Sequence, residues 1–203
     1  YLDLAQIHFT QGEKDKAKDI CVKAITLDKD NTDIRLLLGI ILKDEKQFDE
    51  ALTHFAKVIE MMPQDIIALN NAAAIFAHQG NLDKAIECFD RAIQSDPTFL
   101  NTYLNKAFFL LNAKKHQETF DTLLEGLKNH VESPETIHTY QEASLLLVKT
   151  SKEVRKSGSF KELIDKLAKE IEKKFKSKSS PNVPIAKINN IDNRIYTCKN
   201  KSA

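Results

Sequence analysis

The chain has 203 residues, 42% of them apolar and none of them Trp, enough for one ordinary domain or for the thin core of a stacked repeat. No stretch approaches the roughly 18 uninterrupted apolar residues of a membrane-spanning helix, so no membrane span is expected. The net charge of +1 hides an asymmetry: residues 1–150 hold 16 Lys and Arg against 23 Asp and Glu, and residues 151–203 hold 14 against 6. An acidic body repels a phosphate backbone, which excludes nucleic acid as its ligand.

From the first residues onward the chain repeats itself. Ala5, Gly39, Ala73 and Ala107 stand 34 residues apart, as do Ala17, Ala51, Ala85 and Thr119, and Ala24, Val58, Ala92 and Gly126. Small residues in fixed register are what stacked helix pairs need where their backbones approach closely. Bulky residues recur in the same register at Cys21, Phe55, Phe89 and Leu123, and at His8, Leu42, Phe76 and Leu110, with turn-formers at Gly12, Gly80, Pro63 and Pro97. Tyr1 falls at the fourth position of a first helix, so the chain is expected to be part of something longer.

On these residues the chain resembles the tetratricopeptide repeat (TPR) family, with units at about 1–31, 32–65, 66–99 and 100–133. Leu69, Ala73, Phe76, Gly80, Ala85, Phe89, Ala92 and Pro97 fill nearly the whole motif in the third unit. The fourth is degenerate, with Lys106, Lys114, Thr119 and Val131 where the family has Leu, Gly, Ala and Pro. The resemblance implies an all-α fold, a right-handed α-solenoid of TPR helix pairs.

After the repeats, Ser133-Pro134-Glu135 reads as an N-cap, a first-turn proline and a first-turn acid. Ser157-Gly158 breaks that helix, and Ser159 with Glu162 opens another that carries Phe160, Leu163, Ile164, Leu167, Ile171 and Phe175 at helical spacing. Residues 134–176 are therefore expected to be a C-terminal capping helix pair, because the end of a solenoid must close its apolar face. Residues 177–203 read as an irregular tail whose Ile185, Ile188, Ile191 and Ile195 would allow it to dock on the chain's own surface.

In the TPR family the first helices of successive units line a concave groove, and the resemblance carries that role to Leu37, Ile40, Asn70, Asn71, Ala74 and His78 in units two and three, and to Asn101, Leu104, Asn105, Phe108 and Leu111 in unit four. The face is strongly apolar, which suits the aliphatic anchors of an amphipathic helix. Asn71 and Asn105, one repeat apart, resemble two rungs of the asparagine ladder with which the TPR array of O-linked N-acetylglucosamine transferase holds an extended peptide, since an amide offers a donor and an acceptor to a backbone. The Lys and Arg of a chaperone-type carboxylate clamp are absent from these positions, which hold Leu, Ile and Asn.

Three cysteines at 21, 88 and 198 in no paired spacing indicate a reducing compartment, the cytoplasm first, with an organelle or a cilium left open. Six histidines and these thiols show no metal spacing, and no Gly-rich phosphate loop is present, so neither metal nor cofactor is expected. The basic run Lys166, Lys169, Lys173, Lys174, Lys176 and Lys178 suits a helix C-terminus. The reading is a non-catalytic protein-interaction scaffold that holds a partner helix or peptide within a larger assembly; the alternative is the substrate-recruiting region of an enzyme whose catalytic domain lies elsewhere.

Overall fold

The computed structural model describes residues 1–129, together with the single position Lys169. The expected capping helices at 134–176 and the tail at 177–203 lie outside the described residues. Those described form eight α-helices and no strand. They fall into two units, Tyr1–Pro97 and a second that starts at Thr98.

The first unit holds α1 (Leu2–Thr10), α2 (Lys14–Leu27), α3 (Thr32–Asp44), α4 (Phe48–Met61), α5 (Ile66–His78) and α6 (Leu82–Ser95). Consecutive helices pack as the pairs α1/α2, α3/α4 and α5/α6, and each pair stacks on the next through α2 against α3 and α4 against α5. The second unit holds the pair α7 (Leu100–Asn112) and α8 (His116–Asn129).

Three helices, α3, α5 and α6, start where a short polar side chain satisfies a first-turn amide. Asn31 accepts from the Ile34 amide at 3.0 Å, and Asp65 accepts from the Ala68 amide at 2.7 Å. The turn between the two helices of each pair is the same turn four times. The amides of Glu13, Gln47, Asn81 and Lys115 return to the carbonyls of His8, Leu42, Phe76 and Leu110 at 2.8–2.9 Å. The residue before each sits at positive φ, namely Gly12 (81°), Lys46 (63°), Gly80 (78°) and Lys114 (60°). Glycine adopts that conformation without steric cost, whereas the two lysines carry the strain of a side chain there.

Every small column read from the sequence is inside. Ala5, Gly39, Ala73 and Ala107 are buried, as are Ala17, Ala51, Ala85 and Thr119, and Ala24, Val58, Ala92 and Gly126. In the degenerate fourth pair, Thr119 takes the small position by turning its hydroxyl onto the Lys115 carbonyl at 2.8 Å, so no polar atom is stranded. Tyr103 packs over Gly126, where an added β-carbon would stand 2.8 Å from its ring, and the Tyr103 hydroxyl accepts from Asn129 Nδ2 at 3.0 Å.

Candidate partner-binding face of the first helices

The residues expected to line a groove lie on α3 and α5 in the first unit and on α7 in the second. In the first unit, Leu37 and Asn70 are buried, Ile40, Asn71 and Ala74 are half-buried, and His78 is exposed. Leu37 belongs to the packed core together with Leu36 and Leu38, and Ile40 rests against that core. The α3 sequence is apolar nearly all the way round, so some of the residues assigned to its outer face are core. Ile67, at the start of α5, adds an exposed apolar side chain to the same helix.

Asn71 is engaged within its own unit. Its Nδ2 donates to the Ile67 carbonyl at 2.8 Å, and its Oδ1 accepts from Nζ of Lys43, which reaches across from α3. The first bond is the usual competition of an asparagine for the carbonyl four residues back. One of its two N–H donors and one of its two lone pairs are used in this way, and the amide is held in a fixed orientation.

His78 lies against Phe48 of α4, with ring centroids 4.6 Å apart and a tilt of 49°. Sequence reasoning placed Lys43 on the outward face of α3 without its bond to Asn71, and left Phe48 off the site. The repeat register was the available signal, because Phe48 and His78 stand one period beyond Lys14 and Asp44, which form an ion pair in the preceding pair of repeats.

In the second unit Asn101, Leu104 and Asn105 are half-buried, Leu111 is buried, and Phe108 is 42% exposed. Phe108 meets Phe109 edge to face at 5.4 Å and 77°, which holds one ring presented outward. An exposed ring so held contributes apolar contact with little further loss of side-chain freedom.

The ionisable groups elsewhere serve the fold. Burial pushes the Cys21 thiol up to about 11 and also raises Cys88, which disfavours the nucleophilic thiolate. Hydrogen bonds from Lys16 and His8 lower Glu13, and burial, with Arg35 second, lowers His54. Among the described residues no three His, Cys, Asp or Glu side chains gather as metal ligands, and no helix is long and apolar enough to cross a membrane.

The tetratricopeptide repeat family matches this chain at residues 11–75 and again, through a second profile, at 66–99. The peroxisomal targeting signal receptor of Candida albicans is 27% identical over 110 residues, which are 54% of this chain and 19% of the receptor. Hsp70-Hsp90 organizing protein 3 of Arabidopsis thaliana is 29% identical over 91 residues, 45% of this chain and 16% of that protein. The chain thus spans less than a fifth of either relative. Among solved structures, MamA 41-end from Desulfovibrio magneticus RS-1 shares the fold at a TM-score of 0.60 and 16% identity, over 88% of this chain and 94% of that one. The helix pairs, their register and the repeated turn agree with these matches, and residues 11–99 are tetratricopeptide repeats.

Proposed function

We propose that the chain is a non-catalytic protein-interaction scaffold whose first-helix faces receive an amphipathic helix from a partner protein. The observation that carries the choice of ligand is the engagement of Asn71. Its amide is held in one orientation by Lys43 and the Ile67 carbonyl, which leaves one N–H and one lone pair for an extended peptide backbone. Apolar anchors need no such polar match. Ile40, Ile67 and Ala74 in the first unit, and Leu104 and Phe108 in the second, retain open apolar surface of the kind helix-in-groove recognition uses. Leu37, Asn70 and Leu111 are buried on the same helices, and Asn101, Asn105 and His78 supply polar side chains.

A partner such as a targeting signal or a chaperone, which the names of the two relatives suggest, does not follow from this face. The positions where a chaperone-type clamp has Lys and Arg hold Leu, Ile and Asn, and Lys43, the cation on this face, is engaged by Asn71. The test is affinity capture with the chain, identification of the bound protein, and titration of that protein against Ile67→Ala, Phe108→Ala and a chain truncated after Phe175. Loss of binding on the order of tenfold or more for either alanine variant, with little dependence on salt, supports the proposal. Binding that survives both alanine variants and fails on truncation or in high salt moves the site to the basic C-terminal region. Binding that strengthens on truncation identifies the tail as a competing occupant of the same face.

A further inference from the structure

His54 is half-buried in α4, and its Nδ1 is shut from water with no hydrogen-bond partner among the described residues. A buried polar atom left in that state is uncommon. The same register position holds Ile20 in the first repeat, Cys88 in the third and Thr122 in the fourth. Ile20 rests against the core, and Cys88 and Thr122 are buried. The second repeat thus places a titratable base where the others place a side chain that carries no charge at neutral pH.

A proton on that ring would meet little compensation. The charged groups that act on it are Arg35 of α3 and Glu50, one turn back on α4. Arg35 is tethered, with its Nε donating to the Lys29 carbonyl at 2.8 Å and its Nη2 to the same oxygen. Its register-mates Leu69 and Tyr103 are fully buried, so the guanidinium stands in a core column. Glu50 is exposed, where water screens its attraction. The remaining ionisable groups of α3 are engaged or open to water: Lys43 bonds Asn71, Asp44 pairs with Lys14, and Asp33 is exposed. On α5, which also packs against α4, Asp65 accepts from the Ala68 amide and His78 lies against Phe48. Burial first, and Arg35 second, therefore hold the imidazole neutral and lower its pKa from the ordinary 6.5.

We propose that His54 makes the α3/α4 pair acid-sensitive: a proton taken up by its ring loosens α4 from α3, while the α5/α6 pair, with Cys88 at the equivalent position, stays closed. An opened pair exposes the ring to water, where it binds a proton in the ordinary histidine range. The closed form's advantage is complete above about pH 7 and is lost as pH falls through 6.5 and below.

The test follows hydrogen-exchange protection factors, which remove the intrinsic pH dependence of exchange, in the 203-residue chain between about pH 7.5 and about pH 5. Protection in α3 and α4 is expected to fall by about threefold or more while protection in α6 holds. His54→Ile, which installs the residue of the first repeat, and His54→Gln, which keeps a neutral polar side chain, should each remove that fall. An NMR titration of the His54 ring in the unsubstituted chain gives a reading that needs no variant, and the ring is expected to protonate below the ordinary histidine range. A ring that titrates at its ordinary value, an equal fall in α6, or a fall that both variants keep overturns the proposal.

Discussion

The ring of Phe55 in α4 fills the space that a side chain on Gly39 of α3 would take: a β-carbon there would stand 2.7 Å from Cε1 and 2.9 Å from Cζ. Glycine at this position costs about 1 kcal/mol of helix propensity relative to alanine, yet overpacking a core typically costs about 1–3 kcal/mol. Phe55 is fully buried in α4 and cannot swing into solvent, so packing decides. Gly39→Ala is expected to destabilise the chain by about 1 kcal/mol in urea denaturation, and the further change Phe55→Leu should recover part of it. An alanine variant at least as stable as the parent would show that the ring yields and that the small column is not needed here.

Lys46 and Lys114 make the opposite prediction. Both hold the left-handed turn that Gly12 and Gly80 hold in the other repeats, where an L side chain costs on the order of 1–2 kcal/mol. Glycine adds entropy to the unfolded chain, which offsets part of any gain. Lys46→Gly and Lys114→Gly should each stabilise by roughly 0.5–1 kcal/mol, a rise of about 2–4 °C per kcal/mol in a chain of this size. A fall in melting temperature for both would mean that the lysine side chains make contacts worth more than the strain.

These two positions also mark where sequence reading stops. The 34-residue columns were legible because packing leaves composition no choice: Ala5, Ala51, Ala85 and Ala107 are fully buried, and so are Cys21 and Phe55. The turns at Gly12 and Gly80 were legible for a different reason, since a positive φ favours glycine. Lys114 was visible only as a lysine at a glycine position of the repeat and Lys46 not at all, since nothing in a lysine announces positive φ; the turn bonds to the Leu42 and Leu110 carbonyls impose it. On the candidate face, helical spacing placed residues on a side without giving their depth. Leu37, Asn70 and Leu111 are buried next to half-open neighbours, and the engagement of Asn71 by Lys43, 28 positions away, is a tertiary fact that no single helix encodes.

The buried thiol of Cys21 makes stability depend on alkaline pH. Its folded value is pushed by burial from 9.0 to about 11, so the unfolded chain loses that proton first as pH rises. The stabilisation is present in full below pH 9 and disappears as pH climbs through 9 to 11. The melting temperature of the parent should therefore fall more steeply across that window than that of Cys21→Ala, even though the variant starts lower for loss of packing. Parallel slopes for the two proteins would mean that the thiol is not sealed from water.

Two successive junctions of the first unit solve the same contact in different ways. Between α2 and the end of α3, Lys14 pairs with Asp44 and Lys18 with Glu45. One period on, the first of these positions holds the ring pair Phe48 and His78, and Asp49 accepts from Gln79 Nε2 at 3.3 Å nearby. Part-exposed ion pairs contribute about 0.2–1 kcal/mol and are screened by salt. An aromatic pair contributes about 0.5–1.5 kcal/mol beyond its buried area, through contacts that salt does not screen. A double-mutant cycle on Lys14 and Asp44 should therefore lose most of its coupling between about 0.05 and 1 M salt, while a cycle on Phe48 and His78 should keep it. Hydrogen exchange should follow the same order, with α1 and α2 losing protection in high salt before α5 and α6. Salt-independent coupling at Lys14 and Asp44 would mean that hydrogen bonding or packing of the lysine stem, and not charge, joins the first two repeats.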